Sequence, residues 1–300
     1  MNTLIESKNL EKVYAGKKVL NDVSFTCQAG APIALIGPNG AGKTTLFSIL
    51  CDFIRPSSGN ITILGLPPGH KDLRNQVAAL PQDAQFDPLF NIHTQLTFYA
   101  ELQGLKKSQA KIEASRVLAL MDLADEEKSL PSKLSHGMRK RAAIAQALIG
   151  RPKLVLLDEP TAGLDPANAK NIRQQISAIS EETTFLISSH NLQELERLCN
   201  TILYIENGQL KQQQHHQDSD NNSYLSIHMQ DVAQQAFIDT VALLPTVTEI
   251  KSEQKNEFLI HYNGVSAPDF DQQLLKILAD KNWAYRRLIK GKTLEEQLFS

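Results

Sequence analysis

The sequence lacks paired cysteines, a strong excess of charge of either sign and any long apolar run. Its three cysteines, Cys27, Cys51 and Cys199, lie far apart, which favours free thiols in a reducing compartment over a disulfide framework or a zinc site. The formal net charge is only -2, from 31 basic and 33 acidic side chains. We therefore expect no strongly basic face, and the sequence predicts no nucleic-acid partner.

Apolar segments of the length used for targeting or membrane insertion are also missing. The first ten residues include Glu6, Lys8 and Asn9, which interrupt the apolar stretch that a signal peptide needs. No run approaches the roughly 18 to 20 apolar residues of a membrane-spanning helix. These absences predict a soluble chain, whose role at a membrane would depend on a partner protein.

At 300 residues the chain is long enough for two domains. In its first two thirds, short apolar runs at 33–36, 155–157 and 185–187 are each followed by a polar turn and a helical stretch. Continuous apolar strands of this kind predict an α/β fold with a parallel sheet covered on both faces.

Other segments of this region predict two flanking parts. Residues 19–25 and 61–64 have the pattern of strands in a more antiparallel subdomain. Residues 94–105 and 108–121 have helical periodicity, and Gly104 marks a stop between the two helices.

A polar tract without apolar residues occupies the region around 211–222 and divides the chain. It predicts a linker at 213–222 between a first domain at 1–212 and a small α+β accessory domain at 223–300. The latter has the pattern of βαββαβ, a split βαβ or ferredoxin-like arrangement. His215 and His216 fit a solvated linker better than a metal site, because no further ligands lie at suitable spacing.

The residues 37–44 (GPNGAGKT) match the phosphate-loop pattern G-x-x-x-x-G-K-[ST] between a predicted strand and a predicted helix. Glycines in such a loop let backbone N–H groups turn toward phosphate oxygens at a helix N-terminus. Lys43 is expected to reach the β- and γ-phosphates, and the Thr44 hydroxyl is expected to bind Mg²⁺. The nucleotide-contacting residues predicted here are Gly37, Pro38, Asn39, Gly40, Ala41, Gly42, Lys43, Thr44 and Thr45.

Two adjacent carboxylates end the apolar run at 154–157. Asp158 lies where a strand ends, which is a usual position for a group that holds Mg²⁺. Glu159 is then placed to orient or deprotonate an attacking water. Acidic residues after a strand also serve as helix N-caps, and this alternative remains open for the pair.

The stretch 134–138 (LSHGM) is followed by the basic, helical segment RKRAAIAQAL. With the phosphate loop before it and the two carboxylates after it, the chain resembles the nucleotide-binding subunits of ATP-binding cassette (ABC) transporters over about residues 3–210. The resemblance implies a P-loop NTPase cassette with a parallel core sheet, an antiparallel β subdomain and a helical subdomain. It also implies hydrolysis of ATP with Mg²⁺ between two cassettes.

The resemblance extends to residues outside the three motifs. By position, Ser135 and Gly137 would contact the γ-phosphate held by the other subunit. Tyr14 would stack on adenine, the alternative being that it packs on its own subdomain. Gln82 would sense Mg²⁺ and link to the membrane partner, and its alternative is an exposed loop amide.

Two further positions match the family after the carboxylates. Asp165 would lie in the loop that crosses the dimer interface. His190 would contact the γ-phosphate, the alternative being an ordinary loop residue. At 134–138, His136 replaces the first glycine of the family signature and Met138 its glutamine; His136 either weakens the contact with the other subunit or points to solvent.

The resemblance therefore implies the ATPase subunit of an ABC transporter, with a separately encoded membrane permease and a second cassette, most simply an identical one. The form LSHGM and the segment 293–299 are similar to those of exporter-type subunits. The chain would be cytoplasmic and peripheral on the inner face of the cell membrane. Two other classes stay open: a soluble ABC ATPase of translation or DNA repair, and a regulatory ATP-binding protein.

Overall fold

The computed structural model describes residues 3–189, 195, 198–199, 201–214, 223–254 and 256–291. The chain divides into two compact units, Met1–Gln214 and His215–Ser300. Each unit has its own hydrophobic core. Residue His190, the histidines of the polar tract and the segment 293–299 lie outside the described residues.

The first unit contains two sheets and five described helices. Its strands are β1 Thr3–Tyr14, β2 Lys17–Gln28, β3 Ile33–Ile36, β4 Ser58–Ile63, β5 Val77–Leu80, β6 Leu154–Asp158, β7 Thr184–Ser188, β8 Thr201–Glu206 and β9 Gln209–Gln214. Its helices are α1 Lys43–Leu50, α2 Ile92–Leu102, α3 Lys107–Leu120, α4 His136–Ala147 and α5 Pro166–Ile179.

The larger sheet has the strand order β5-β6-β7-β3-β8-β9. Its first five strands are parallel, and β9 pairs antiparallel with β8. Every residue of β3 and β7 is buried, which explains their continuous apolar sequences. Because carboxyl ends of parallel strands meet at one edge, the loop after β3 lies beside the ends of β6 and β7.

The smaller sheet has the order β2-β1-β4 and is antiparallel throughout. Its inward side chains, those of α1 and those of the larger sheet form one buried cluster, which includes Val23, Ile61, Leu46, Leu156 and Leu186. The predictions of a parallel core sheet and an antiparallel flanking sheet are therefore confirmed.

Helices α2, α3 and α4 form the predicted helical part. The Asn91 side chain caps α2 by accepting a hydrogen bond from the Thr94 amide. After α2, Gly104 has a φ of 99°, which is the left-handed conformation that commonly follows a helix end. The break predicted at Gly104 is confirmed. None of the helices that the model describes is both long enough and apolar enough to cross a membrane.

The second unit has the element order β10 Tyr224–Met229, α6 Gln234–Val241, β11 Val247–Gln254, β12 Glu257–Tyr262, α7 Phe270–Asp280 and β13 Tyr285–Lys290. The strand order is β11-β12-β10-β13 with antiparallel neighbours, so each helix joins two strands that flank a third. This is the split βαβ arrangement that the pattern of the segment predicts. Stacked rings fill its core, with Phe237 on Phe258 and Tyr262 on Phe270.

The start of the predicted linker at residue 213 is wrong. Strand β9 continues to Gln214, and its last two residues pair with Ile202 and Thr201 of β8. An edge strand is held by backbone hydrogen bonds to one neighbour, so it does not need the apolar side chains that the sequence pattern requires. The first unit thus ends two residues later than predicted.

Candidate nucleotide-binding site

A cavity of about 310 Å³ lies at the carboxyl edge of the parallel strands. It joins the loop after β3, the segment after β5 and the end of β6, which are far apart in sequence. Its lining residues are Val19, Asn39, Gly40, Gly42, Lys43, Thr44, Thr45, Gln82, Asp158 and Glu159. The structure therefore gathers most of the predicted phosphate, magnesium and water-orienting residues around one space.

The phosphate loop needs glycine where it enters α1. Gly42 has a φ of 112°, and a Cβ added there would lie 2.8 Å from Leu20 Cδ2 and 3.0 Å from the Val19 carbonyl oxygen. Both the backbone conformation and the close packing exclude a side chain. The N-terminus of α1, with its unpaired amides and positive dipole end, consequently faces the cavity as an anion site.

Lys43 lies within the loop that it is predicted to serve. Its Nζ atom donates hydrogen bonds to the carbonyl oxygens of Gly37 at 2.6 Å and Pro38 at 3.1 Å. These bonds hold the ammonium group beside the loop amides, where cation and amides can together neutralise phosphate oxygens. Gly37, Pro38 and Ala41 form part of this loop without lining the cavity.

A residue that sequence analysis missed, Ser188, binds the Asp158 carboxylate and the backbone amide of Glu159. Ser188, fully buried at the end of β7, donates a hydrogen bond from its hydroxyl to Asp158 Oδ1. The Glu159 amide donates to the Ser188 hydroxyl oxygen at 3.0 Å and to its carbonyl oxygen at 3.2 Å. Glu159 has a φ of 48°, so the chain turns sharply where β6 ends.

The donor set at the cavity suits a magnesium ion. Mg²⁺ is usually held by one or two carboxylates together with waters and substrate phosphates, rather than by a full protein cage. Thr44, Gln82 and Asp158 offer a hydroxyl, an amide oxygen and one carboxylate around the same cavity. In the part of the chain that the model describes, no group of three or more His, Cys, Asp or Glu residues forms a separate metal site.

Lys140 connects this cavity to helix α4. Its Nζ atom donates a hydrogen bond to the Gln82 carbonyl oxygen at 2.8 Å. Burial lowers the pKa of the Lys140 ammonium group, while the negative charges of Asp83 and Glu159 act in the opposite direction. The basic run after the signature stretch was visible in the sequence, but nothing in it indicated this contact.

The signature stretch forms the start of α4. Ser135 is the N-cap, and its Oγ accepts a hydrogen bond from the Met138 amide at 3.2 Å. The Ser135 hydroxyl hydrogen remains able to donate, beside the unpaired amides of the first helical turn. Ser135 is exposed and Gly137 is buried, and neither lines the cavity of its own chain.

Tyr14 and Asp165 also lie outside the cavity lining. The Tyr14 side chain is 43% exposed, and the Lys12 ammonium group lies 5.1 Å from its ring centroid. Asp165 caps α5, because its Oδ1 accepts hydrogen bonds from the amides of Ala167 and Asn168, each at 3.0 Å. Hydrogen bonds, above all from the Asn168 side chain, hold the pKa of Asp165 below its usual range.

Comparison with known proteins agrees with this geometry. The family model described as ABC transporter matches residues 20–162. The linearmycin resistance ATP-binding protein LnrL of Bacillus subtilis is 32% identical over 210 residues, which cover 69% of this chain and 68% of LnrL. The Nod factor export ATP-binding protein I of Burkholderia lata is 35% identical over 207 residues, with 68% of each chain covered.

Solved structures are similar over the same region. The structure of an ATP-binding subunit of an ABC transporter is 29% identical, with a TM-score of 0.63, and the match covers 71% of this chain and 90% of that chain. A bacterial Atm1-family ABC exporter with ATP bound is 26% identical, with a TM-score of 0.62, over 71% of this chain and 39% of the exporter.

The fold and the site define a P-loop ATPase cassette, and the chain belongs to the family of ABC transporter ATP-binding proteins. It is the subunit that binds ATP, and its enzymatic activity is ATP hydrolysis coupled to transport. Subunits of this kind work with membrane components. A role in translation or DNA repair is not favoured by these relatives.

Proposed function

We propose that two copies of this chain close around two molecules of ATP with Mg²⁺ and drive export through a separately encoded permease. The observation that carries this proposal is the division of the predicted site residues. The cavity of one chain contains Lys43, Gln82 and Glu159, whereas Ser135 and Asp165 lie outside it. Polar groups that a chain does not direct into its own cavity are available to the cavity of a second copy.

In this proposal the γ-phosphate lies between the two chains. Lys43 and the loop amides bind it from one side, and Ser135 and the Gly137 amide of the second copy donate to it from the other. Tyr14 stacks on the adenine ring. These fixed donors stabilise the charge of the phosphoryl group in transfer without reorganising water.

Hydrolysis also needs an oriented water molecule and a divalent cation. Glu159 orients and deprotonates the water, and His190, which is assigned from the sequence, contacts the γ-phosphate. Thr44, Asp158 and Gln82 would hold Mg²⁺, which supplies further charge neutralisation when bound. The Ser188 hydrogen bond fixes Asp158 toward this task.

The decisive experiment compares the variant Glu159→Gln with Lys43→Ala. We expect Glu159→Gln to bind ATP, lose turnover and accumulate as a dimer in size-exclusion chromatography with Mg²⁺ and ATP. Lys43→Ala should remain monomeric under the same conditions, because the phosphates lose their nearest cation. A Glu159→Gln variant that stays monomeric with and without ATP would contradict the two-copy site.

The variant Glu159→Gln also tests the alternative that the chain is a regulatory ATP-binding protein. A protein that only senses ATP would show no steady ATPase rate. We expect a measurable rate in the parent chain and its loss in Glu159→Gln. Absence of turnover in the parent chain, with ATP binding intact, would favour the regulatory alternative.

A groove on the helical side supports docking of the permease. It has a volume of about 320 Å³ and lies between β5, α2 and the end of α4. Leu102, which lines it beside the apolar residues of β5, is 68% exposed. Exposed apolar side chains around a groove are typical of a protein interaction site.

Co-purification from gently solubilised membranes tests this partner. We expect recovery of a multi-span permease with the parent chain and its loss with Leu102→Glu. Ile112→Glu is the matched control, because Ile112 is 72% exposed on α3 and does not line the groove. Recovery of ribosomes or DNA-repair factors, without a membrane protein, would overturn the transporter assignment. A membrane-bound complex would place the chain at the inner face of the membrane.

We propose that the second unit, which the sequence predicts to start at residue 223, is an accessory domain. It would assist dimerisation or regulation. It has its own sheet and core. The ABC transporter ATP-binding protein YcbN of Bacillus subtilis is 32% identical over 260 residues, with 85% of this chain and 84% of YcbN covered. That length exceeds the first unit, so the similarity continues into the second.

A further inference from the structure

Asn168 contacts two predicted functional segments of the same chain. A Cβ added to Gly137 would lie 2.5 Å from Asn168 Oδ1 and 2.7 Å from Asn168 Cγ. The first turn of α4 therefore packs so closely on the Asn168 side chain that a methyl group at position 137 would have to displace that side chain. On its other side, Asn168 Nδ2 donates a hydrogen bond to Asp165 Oδ2 at 2.6 Å.

A second contact joins the same two segments. A Cβ added to Gly163, whose φ is 76°, would lie 3.7 Å from His136 Nε2. The His136 ring is therefore beside the turn that leads to Asp165. The residue that replaces the first glycine of the family signature thus has a neighbour within its own chain.

We propose that Asn168 is a positioning residue that locks the N-terminus of α4 to the turn carrying Asp165. Ser135 and Asp165 then meet a second copy of the chain as one rigid block. The inference rests on the proposed two-copy site and adds the residue that fixes the spacing of its two contributing segments.

The physical reason is preorganisation. If the α4 N-terminus and the turn moved independently, each would lose conformational freedom when the second copy bound. The contacts of Asn168 remove that freedom beforehand. Because neither segment lines the cavity of its own chain, loss of the lock should weaken closure and leave ATP binding to the open cassette unchanged.

The first test uses Glu159→Gln as the background in which the closed dimer accumulates. We expect Asn168→Ala to weaken ATP-dependent dimerisation about tenfold, a difference of about 1.4 kcal/mol. Affinity for a fluorescent ATP analogue should change less than twofold. Gln174→Ala is the matched control on the same helix, because Gln174 is exposed.

The variant Asn168→Asp gives a readout that loss of packing would not produce. It places a carboxylate against Asp165, so the hydrogen bond is lost at neutral pH, where both groups are charged. Lowering the pH lets the two carboxylates share one proton and re-form the bond. The ATPase activity of Asn168→Asp, divided by that of the parent chain, should therefore rise as the pH falls from 7.5 to 5.5.

The variant Gly137→Ala tests the other side of the lock. Its methyl group should displace the Asn168 side chain and weaken dimerisation about as much as Asn168→Ala does. In the double variant that combines Gly137→Ala with Asn168→Ala, the two effects on dimerisation should not add. Asn168→Ala has already removed the side-chain amide that the methyl group would displace. Full additivity would contradict a shared mechanism.

The outcomes separate this inference from the function on which it depends. If Glu159→Gln alone fails to dimerise with ATP, the two-copy site is wrong. If it dimerises, and Asn168→Ala does so equally well in that background, only the positioning role is wrong. That role would likewise be wrong if the ATPase activity of Asn168→Asp, divided by that of the parent chain, did not change between pH 7.5 and pH 5.5.

Discussion

Lys140 Nζ donates a hydrogen bond to the Gln82 carbonyl oxygen at 2.8 Å, across 58 positions of sequence. Lys140 belongs to α4, whose first turn contains the signature stretch, and Gln82 lines the nucleotide cavity. The contact thus ties the helix that we propose to serve the second copy's ATP to a loop that serves the chain's own ATP. We expect a change in the position of either segment to affect the other through this bond.

Lys140→Met should lower the ATPase kcat about tenfold while the KM for ATP changes less than threefold. A hydrogen bond from a charged group contributes about 1.5–3 kcal/mol, and its loss releases the Gln82 loop rather than the phosphate loop. Steady-state kinetics measure the two constants. Lys140→Arg should restore much of the rate, and Lys170→Met, at an exposed position of α5, is the control. A rise confined to KM would contradict the expectation.

Ser188→Ala should raise the Mg²⁺ concentration needed for half-maximal activity about 10- to 100-fold. The Ser188 hydroxyl orients Asp158, and loss of such a supporting hydrogen bond typically weakens metal affinity by that factor. Titration of ATPase activity with Mg²⁺ at saturating ATP measures the effect. Ser177→Ala, at an exposed position, should leave the titration unchanged. An unaltered Mg²⁺ requirement in Ser188→Ala would show that Asp158 is oriented by other contacts.

Glycines 16 and 59 form a matched pair for stability. Both have left-handed φ angles, 83° and 79°, but a Cβ meets nothing within 4 Å at Gly16 and lies 2.1 Å from the Asn9 carbonyl oxygen at Gly59. Gly16→Ala should cost about 1 kcal/mol of unfolding free energy through backbone strain. Gly59→Ala should cost about 1–3 kcal/mol more through overpacking. Urea unfolding measures both, and equal costs would contradict the close approach.

The buried thiols predict how stability depends on alkaline pH. Burial raises the pKa of Cys27 and of Cys199 to about 12, from 9.0 in a free thiol. Below pH 9 both thiols keep their protons in the folded and in the unfolded state. In this range they therefore add no pH dependence to the free energy of unfolding. Above pH 9 the unfolded state loses protons that the folded state keeps, so stability falls by up to about 1.4 kcal/mol per pH unit for each thiol.

Urea unfolding at pH 8, 9 and 10 measures this slope, and Cys199→Ala should remove its share. Alkylation gives an independent check, because a thiol with a pKa of about 12 is only about one part in ten thousand thiolate at pH 8. Mass spectrometry after brief treatment with iodoacetamide should show both thiols unmodified in the folded chain and modified in urea. Rapid labelling of the folded chain would contradict their burial.

Local patterns predicted the fold well because each concerns neighbouring residues. The glycine spacing at 37–44, the buried runs of β3, β6 and β7 and the order of elements along the second unit all follow from period, turn chemistry and polarity. The end of β9 was missed because an edge strand is specified by backbone pairing. No side-chain pattern marks Gln214 as part of it.

The site was predicted less completely, since its supporting contacts join distant segments. Asp158 meets Ser188 across 30 positions, and Gly137 meets Asn168 through the packing of two helices. Ser188 and Asn168 match no local motif, and their types are common on any surface. Only the folded chain shows which of the many serines and asparagines form a hydrogen bond with a functional residue or pack against it.

Within the described part of the second unit, the start of β10 and the end of β13 are neighbours in the sheet. The Gly291 amide donates a hydrogen bond to the Tyr224 carbonyl oxygen at 2.7 Å, so the chain enters β10 and leaves β13 side by side. A segment with adjacent ends can be gained, lost or exchanged during evolution without rethreading its own strands. We therefore expect this module to be replaceable as a whole without change to the residues that line the nucleotide cavity.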